Sequence, residues 1–177
     1  MMVIEVVRHA QAHGRRQWAG RPERERPLTA EGRRQAVALA EAIAADAAPA
    51  ALVSSPYTRC VQTLEPLSTL VGCTIDLDEG LGEVSTVPVL DGGDPWVASA
   101  WLGGRALGVV QRLAHRFSDR RVVACSHGDV IPALVTTLIG RDGLELSDAR
   151  LPMCGRFLLR FDGDRCIEAH AHGTPVS

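Results

Sequence analysis

Three short runs of apolar, largely β-branched residues, each broken abruptly by polar or charged ones, constrain this chain more than any other feature. Val3–Val7 (V-I-E-V-V) stops at Arg8-His9, Ala51–Val53 stops at Ser54-Ser55-Pro56, and Val122–Cys125 stops at Ser126-His127-Gly128. Runs of this length and composition read as strands of a parallel sheet buried on both faces. The stretches between them carry helical signals. Thr29 is an N-cap for a helix with Val37, Ala40, Ile43 and Ala44 on one face. Ser55 as cap and Pro56 at the first helical position open a second helix, roughly residues 56 to 71. Asp94-Pro95 repeats that signal and starts a long helix to about Phe117, with Val97, Trp101, Val109, Leu113 and Phe117 toward the core.

A further helix runs from Val130 to Ile139, and Cys73–Leu77 is strand-like. Phe157–Phe161 and Cys166–Ala169 form a closing strand pair turning at Asp162-Gly163-Asp164. With no repeat and no linker, residues 1–177 read as a single domain. Its expected fold is an α/β/α sandwich of three layers around a mainly parallel central sheet.

In such a sheet, ligands bind beyond the carboxyl ends of the strands. Arg8-His9, Ser55 to Arg59 and Ser126-His127-Gly128 therefore converge on one crevice. Arg8 and Arg59 suit a phosphate, because guanidinium forks make bidentate, charge-assisted hydrogen bonds. Arg59 falls in the first turn of its helix, where unpaired backbone N–H groups also favour an anion.

Composition excludes several other chemistries. All nineteen basic residues are Arg, and the chain has no Lys. Schiff-base catalysis, pyridoxal phosphate anchoring and a Walker-type phosphate loop each need a lysine amine. A net charge of −2 and only seven aromatic residues (Trp 3, Tyr 1, Phe 3) argue against nucleic acid as a partner. The five cysteines contain no C-x-x-C pair, no signal peptide opens the chain, and no apolar run approaches the ~18 residues of a membrane span. A reduced, cytoplasmic location off the membrane is the expectation.

Four blocks carry a family resemblance: V-V-R-H-A (Val6–Ala10), R-P-L-T-A-E-G (Arg26–Gly32), V-S-S-P-Y-T-R-C-V-Q-T (Val53–Thr63) and C-S-H-G (Cys125–Gly128). In this order, along nearly the whole chain, they resemble the histidine phosphatase superfamily, also called phosphoglycerate mutase-like. The resemblance implies that His9 is the nucleophile, forming a phosphohistidine intermediate. Arg8, Arg59 and His127 would bind the phosphoryl oxygens, and Glu83 would protonate the leaving oxygen, although Glu79 lies close by in the same loop. Arg26, which opens the second block, is a further candidate phosphate ligand. No metal or cofactor is expected.

Ala10 stands where many members have Gly, and the region of Arg15 replaces a polar residue, often Asn. The small size and the R-H-A start are most similar to the small bacterial phosphohistidine phosphatases and to the histidine phosphatase domain fused to Nudix hydrolases. The expected substrates are phosphohistidine proteins, small phosphomonoesters or nucleotides, with the Val84–Asp94 loop and the basic segment Arg15 to Arg34 setting specificity. The alternatives are a phospholigand-binding module without turnover and a phosphoglycerate mutase.

Several patterns read as incidental. His9 and His13 are four residues apart but leave a strand for a loop, so helical zinc-ligand spacing does not apply. His115 is an exposed helix residue, and His170 and His172 belong to a surface tail. Cys154 to Arg160 matches C-x5-R, the signature of cysteine-dependent phosphatases, yet Phe157-Leu158-Leu159 is strand core rather than a phosphate-wrapping loop.

Overall fold

A computed structural model describes residues 1–83 and 95–175. Six strands, β1 (Met2–Arg8), β2 (Ala51–Ser54), β3 (Ile75–Leu77), β4 (Arg121–Ser126), β5 (Arg156–Asp162) and β6 (Arg165–His172), form one sheet in the order β3-β2-β4-β1-β5-β6. The first four strands in that order are mutually parallel, while β5 and β6 are antiparallel additions at the β1 edge. Helices α1 (Ala30–Asp46) and α2 (Thr58–Val71) cover one face, and α3 (Pro95–Arg116) and α4 (Val130–Asp142) cover the other. The three-layer α/β/α arrangement is thus present.

Period-two alternation builds both faces from the same strands. Ile4, Val6, Val53, Val122 and Ala124 join Val109, Val110 and Leu134 in the core under α3 and α4. Val7, Leu52, Val123 and Cys125 join Leu39, Ile43, Leu64 and Leu67 under α1 and α2. Glu5 is the one acidic residue of β1 and is wholly buried. It pairs with Arg121 from β4 and, at 2.9 Å, with Arg156 from β5. A carboxylate inside a sheet is tolerable only when paired in this way.

Local signals decide where the helices begin. Thr29 caps α1, its Oγ1 accepting from Gly32 N at 3.0 Å. Gly32 also lets α1 approach the chain after His9, since a Cβ there would sit 2.0 Å from the Gln11 carbonyl oxygen. The buried face of α1 is Ala36, Leu39, Ala40 and Ile43, whereas Val37 is 47 % exposed, which corrects the expected face by about one position.

The Ser55-Pro56 start of the second helix is also corrected. Helix α2 begins at Thr58, with Tyr57 in the cap position. Ser55 N remains bonded to Cys125 O at 2.9 Å as an extension of the sheet, and its hydroxyl serves His127 instead. The cap expected at Asp94 lies outside the described residues. Val97, Trp101 and Phe117 are half-buried, while Val109 and Leu113 are in the core.

The closing pair is a hairpin turning through Gly163 at φ 60°. His170 and His172 are exposed in its outer strand rather than in a tail, and His115 is exposed on α3. Among the described residues, no helix is long and apolar enough to cross a membrane.

Candidate active site

Because β2, β4 and β1 are neighbours in the sheet, their carboxyl ends deliver Ser55, His127 and His9 side by side. His9 N bonds Ser126 O at 3.0 Å, continuing the β1–β4 ladder past Arg8. The His9 and His127 rings meet edge to face with centroids 5.4 Å apart.

His9 is buried, and its Nδ1 lies 2.8 Å from the carbonyl oxygen of Ala10. A carbonyl only accepts, so Nδ1 carries the proton and Nε2 holds the lone pair. Burial, more than any charge, pushes the His9 pKa down to about 4. Arg59, Arg8 and Arg26 add to that effect, and the Ala10 hydrogen bond opposes it. The ring is therefore neutral near pH 7 and nucleophilic at Nε2. Desolvation thus outweighs the charge repulsion of the arginines.

His127 is wholly buried, with Nε2 2.8 Å from Ser55 Oγ and Nδ1 3.3 Å from the Arg59 guanidinium. Burial first, then the charge of Arg59, hold its pKa well below the usual histidine value. Tyr57 stands edge-on to the same ring at 4.8 Å and donates its hydroxyl to the Glu83 carbonyl at 2.8 Å.

Arg59 enters from the first turn of α2 and is 0 % exposed. It bonds the Glu23 carbonyl at 3.1 Å and pairs with the Glu83 carboxylate. Arg8 donates to Leu151 O at 2.6 Å. The Nε–H groups of both arginines are buried without a partner among the described residues. Two guanidiniums whose charge reaches a neutral imidazole are the kind of fork that binds an oxyanion.

Glu83 is 11 % exposed at its side chain and sits within this cluster, with Oε2 3.7 Å from His127 Nδ1 and 3.5 Å from Arg15. Burial raises its pKa, aided by Asp129 and Glu23 and opposed by Arg59 and Arg15. Glu79, the other carboxylate of that loop, is exposed and paired with Arg24 at 2.6 Å. Arg15 is 71 % exposed at the rim, between Glu83 and Glu23.

Arg26 is buried, and its fork is already engaged. Two nitrogens bond Glu23 Oε1 at 2.8 and 2.6 Å, and a third bonds His13 O at 2.6 Å. Its placement is that of a brace folding the loop between β1 and α1, with its charge felt by both imidazoles.

Four further residues contribute individual contacts that the sequence did not assign to them: Ser55, Tyr57, Thr63 and Glu23. The first three lie inside the quoted Val53–Thr63 block, and the i, i+4 spacing of Arg59 and Thr63 was the available signal. The C-x5-R pattern carries no site. Arg160 lies in β5, and burial pushes the Cys154 thiol up to about 12, far from a reactive thiolate. The Val84–Asp94 loop lies outside the described residues.

Residues 4–90 and 100–172 match the family model of the histidine phosphatase superfamily (branch 1). The chain belongs to that superfamily. Solved structures agree on the fold. The YhfR protein of Bacillus stearothermophilus superposes with a TM-score of 0.76 at 19 % identity, covering 94 % of each chain. A mycobacterial glucosyl-3-phosphoglycerate phosphatase bound to inorganic phosphate gives 0.71 at 18 % identity, over 100 % of this chain and 98 % of its own. The phosphoserine phosphatase of Entamoeba histolytica in complex with phosphoserine gives 0.68 at 16 %, over 94 % of each. As a member of the histidine phosphatase superfamily, the protein is a hydrolytic phosphatase with the phosphoglycerate mutase-like fold.

Proposed function

We propose that the protein is a metal-independent phosphatase that moves a phosphoryl group first to His9 and then to water. One observation carries this reading: the buried, neutral His9, with Nδ1–H committed to Ala10 and Nε2 available, is grouped with the guanidiniums of Arg8 and Arg59, whose charges it feels. Nε2 attacks phosphorus while the ester P–O bond breaks, and the leaving oxygen takes a proton from the Glu83 carboxyl group. Water then attacks the phosphohistidine, returns its proton to the Glu83 carboxylate, and releases inorganic phosphate and neutral His9.

Arg8, Arg59 and His127 bind the phosphoryl oxygens and offset the charge that spreads over them in transfer. A phosphate dianion competes with Glu83 for Arg59. Displaced from its guanidinium and faced with that dianion, the Glu83 carboxyl group holds its proton more firmly, as an acid must. The Ser55 hydroxyl both donates and accepts, so His127 is supported in either tautomer as Nδ1 turns to the phosphate.

The proximity of Glu83 to Arg59 and His127 favours turnover over a binding module. Small phosphomonoesters are the primary substrate class, with phosphohistidine and nucleotides beside them. The two phosphatase relatives support phosphate monoesters of small hydroxy acids as the first to try.

Hydrolysis of an aryl phosphate in excess chelator, wild type beside His9→Ala, tests the reading. Turnover that survives the chelator and vanishes in His9→Ala is expected, and turnover persisting in His9→Ala overturns it.

A further inference from the structure

The nucleophile is not held by its own strand alone. Ala10, the residue after it, has its N–H bonded to Thr63 Oγ1 at 3.0 Å, across 53 positions of sequence. Thr63 is buried on α2, and its own hydroxyl proton goes to the Arg59 carbonyl at 2.7 Å. The next peptide is gripped from the other helix, Gln11 N donating to Gln35 Oε1 of α1 at 3.0 Å. The carbonyl of that same peptide unit, Ala10 O, is the acceptor for His9 Nδ1 at 2.8 Å.

These bonds form a chain. Arg59 O fixes the rotor of Thr63, Thr63 fixes the peptide before Ala10, Gln35 fixes the peptide after it, and that peptide's oxygen fixes the His9 ring. From this geometry we infer that Thr63 and Gln35 are positioning residues for phosphoryl transfer, tying His9 to the helix that carries Arg59 and holding its ring as the Nδ1–H tautomer. The inference rests on His9 being the nucleophile.

The physical case is one of directional bonds rather than bulk. A hydroxyl at position 63 satisfies a buried N–H donor that has no access to water, since Ala10 is itself fully buried. Replacing it with an isosteric methyl keeps the volume and removes the acceptor. The His9-Ala10 peptide then rotates to find another partner, carrying the Ala10 carbonyl and the imidazole off line. Displacements of about 1 Å in a reacting group cost on the order of 10²-fold in rate. Arg8, Arg59 and His127 stay where they are, so phosphate affinity changes little.

The experiment uses Thr63→Val, Thr63→Ser and Gln35→Leu beside wild type and His9→Ala. It measures kcat on an aryl phosphate, the inhibition constant of inorganic phosphate, and the 15N shifts of the His9 ring. Thr63→Val is expected to lose roughly 10- to 100-fold in kcat, to keep its phosphate inhibition constant within about threefold, and to show a mixture of His9 tautomers. Thr63→Ser restores both kcat and the single Nδ1–H tautomer, and Gln35→Leu shifts both in the same direction by less.

Wild-type kcat with an unchanged tautomer in folded Thr63→Val overturns the inference, as does a loss that Thr63→Ser fails to restore. If Thr63→Val does not fold, Gln35→Leu decides on the same two readouts. Activity retained by His9→Ala defeats the nucleophile reading instead. The 15N spectra still report whether Thr63 and Gln35 hold the ring.

Discussion

Gly128 lies flat against the guanidinium of Arg8: a Cβ at this position would stand 2.9 Å from both Cζ and Nε, and 3.0 Å from an Nη nitrogen. The atoms it would strike are the far end of a flexible side chain, so the strain is relieved by moving Arg8 and not by disrupting the core. Gly128→Ala is therefore expected to lower kcat/KM roughly tenfold, the worth of about one charge-assisted hydrogen bond. Its Tm should stay near the wild-type value because the position is exposed. Steady-state kinetics beside a thermal melt separate the two effects.

Glu83→Gln keeps the shape and the hydrogen-bonding capacity of the side chain but cannot supply a proton. On alkyl phosphates, whose leaving oxygen must be protonated, kcat should fall by about 10²- to 10³-fold. On aryl phosphates with acidic phenols the loss should be much smaller. An equal loss on both series would argue that Glu83 acts by charge or structure instead of proton transfer.

Stability should depend on acid in a defined window. Unfolded His9 titrates near 6.5 and folded His9 near 4, so below pH 6.5 the unfolded chain binds the proton first. The contribution is complete above pH 6.5, declines as pH falls, and is gone below about pH 4. Its size is roughly 3 kcal/mol from the shift. His127, lowered for the same reason, acts with the same sign. Glu83, raised in the fold, acts oppositely, adding stability below its unfolded value of 4.5 and losing it as pH rises through the folded one. Urea unfolding between pH 4 and 7 should show stability rising with pH, and His9→Gln should flatten the slope.

Removing Glu5 strands two cations inside the sheet. Arg121 and Arg156 both point at this carboxylate, with side chains 14 % and 9 % exposed. Glu5→Ala should cost about 3–5 kcal/mol. Glu5→Gln, which still accepts hydrogen bonds, should cost less, as measured by the denaturant midpoint.

The legible parts of this chain were those fixed by local chemistry. Strands that end in charged or imidazole residues, the Thr29 cap and the Asp162-Gly163-Asp164 turn each need only a few adjacent residues, and each stands where expected. The errors came where tertiary contact outbid local preference. Ser55 has the chemistry of a helix cap, but a buried histidine 72 positions away claimed its hydroxyl. Val37 fits an apolar stripe of α1, yet the helix turned to press Gly32 on the Gln11 backbone and left Val37 in water. Arg26 is a different case: its charge reaches both imidazoles, and its bonds to Glu23 and His13 are visible only in the folded loop. The position of Thr63 one turn after Arg59 points to its bond with the Arg59 carbonyl but not to the backbone amide it holds 53 positions away.

The order β2-β4-β1 has a consequence for changing what the enzyme acts on. The chemical groups hang from three strands spaced by backbone pairing at about 4.8 Å, a distance that no surrounding side chain sets. The rim residue Arg15, by contrast, belongs to the connection between β1 and α1, whose inner end is anchored by Ala12 and Leu28 pairing with each other. Residues 14–22, between His13 and the Glu23–Arg26 brace, therefore form a cassette with a fixed base. Under the proposed function, exchanging or lengthening it would change how the leaving group is received, at a chain-entropy cost of only about 0.6 kcal/mol per doubling of length. Selection for a new phosphate ester, natural or directed, thus has a place to work that leaves the sheet out of the trade.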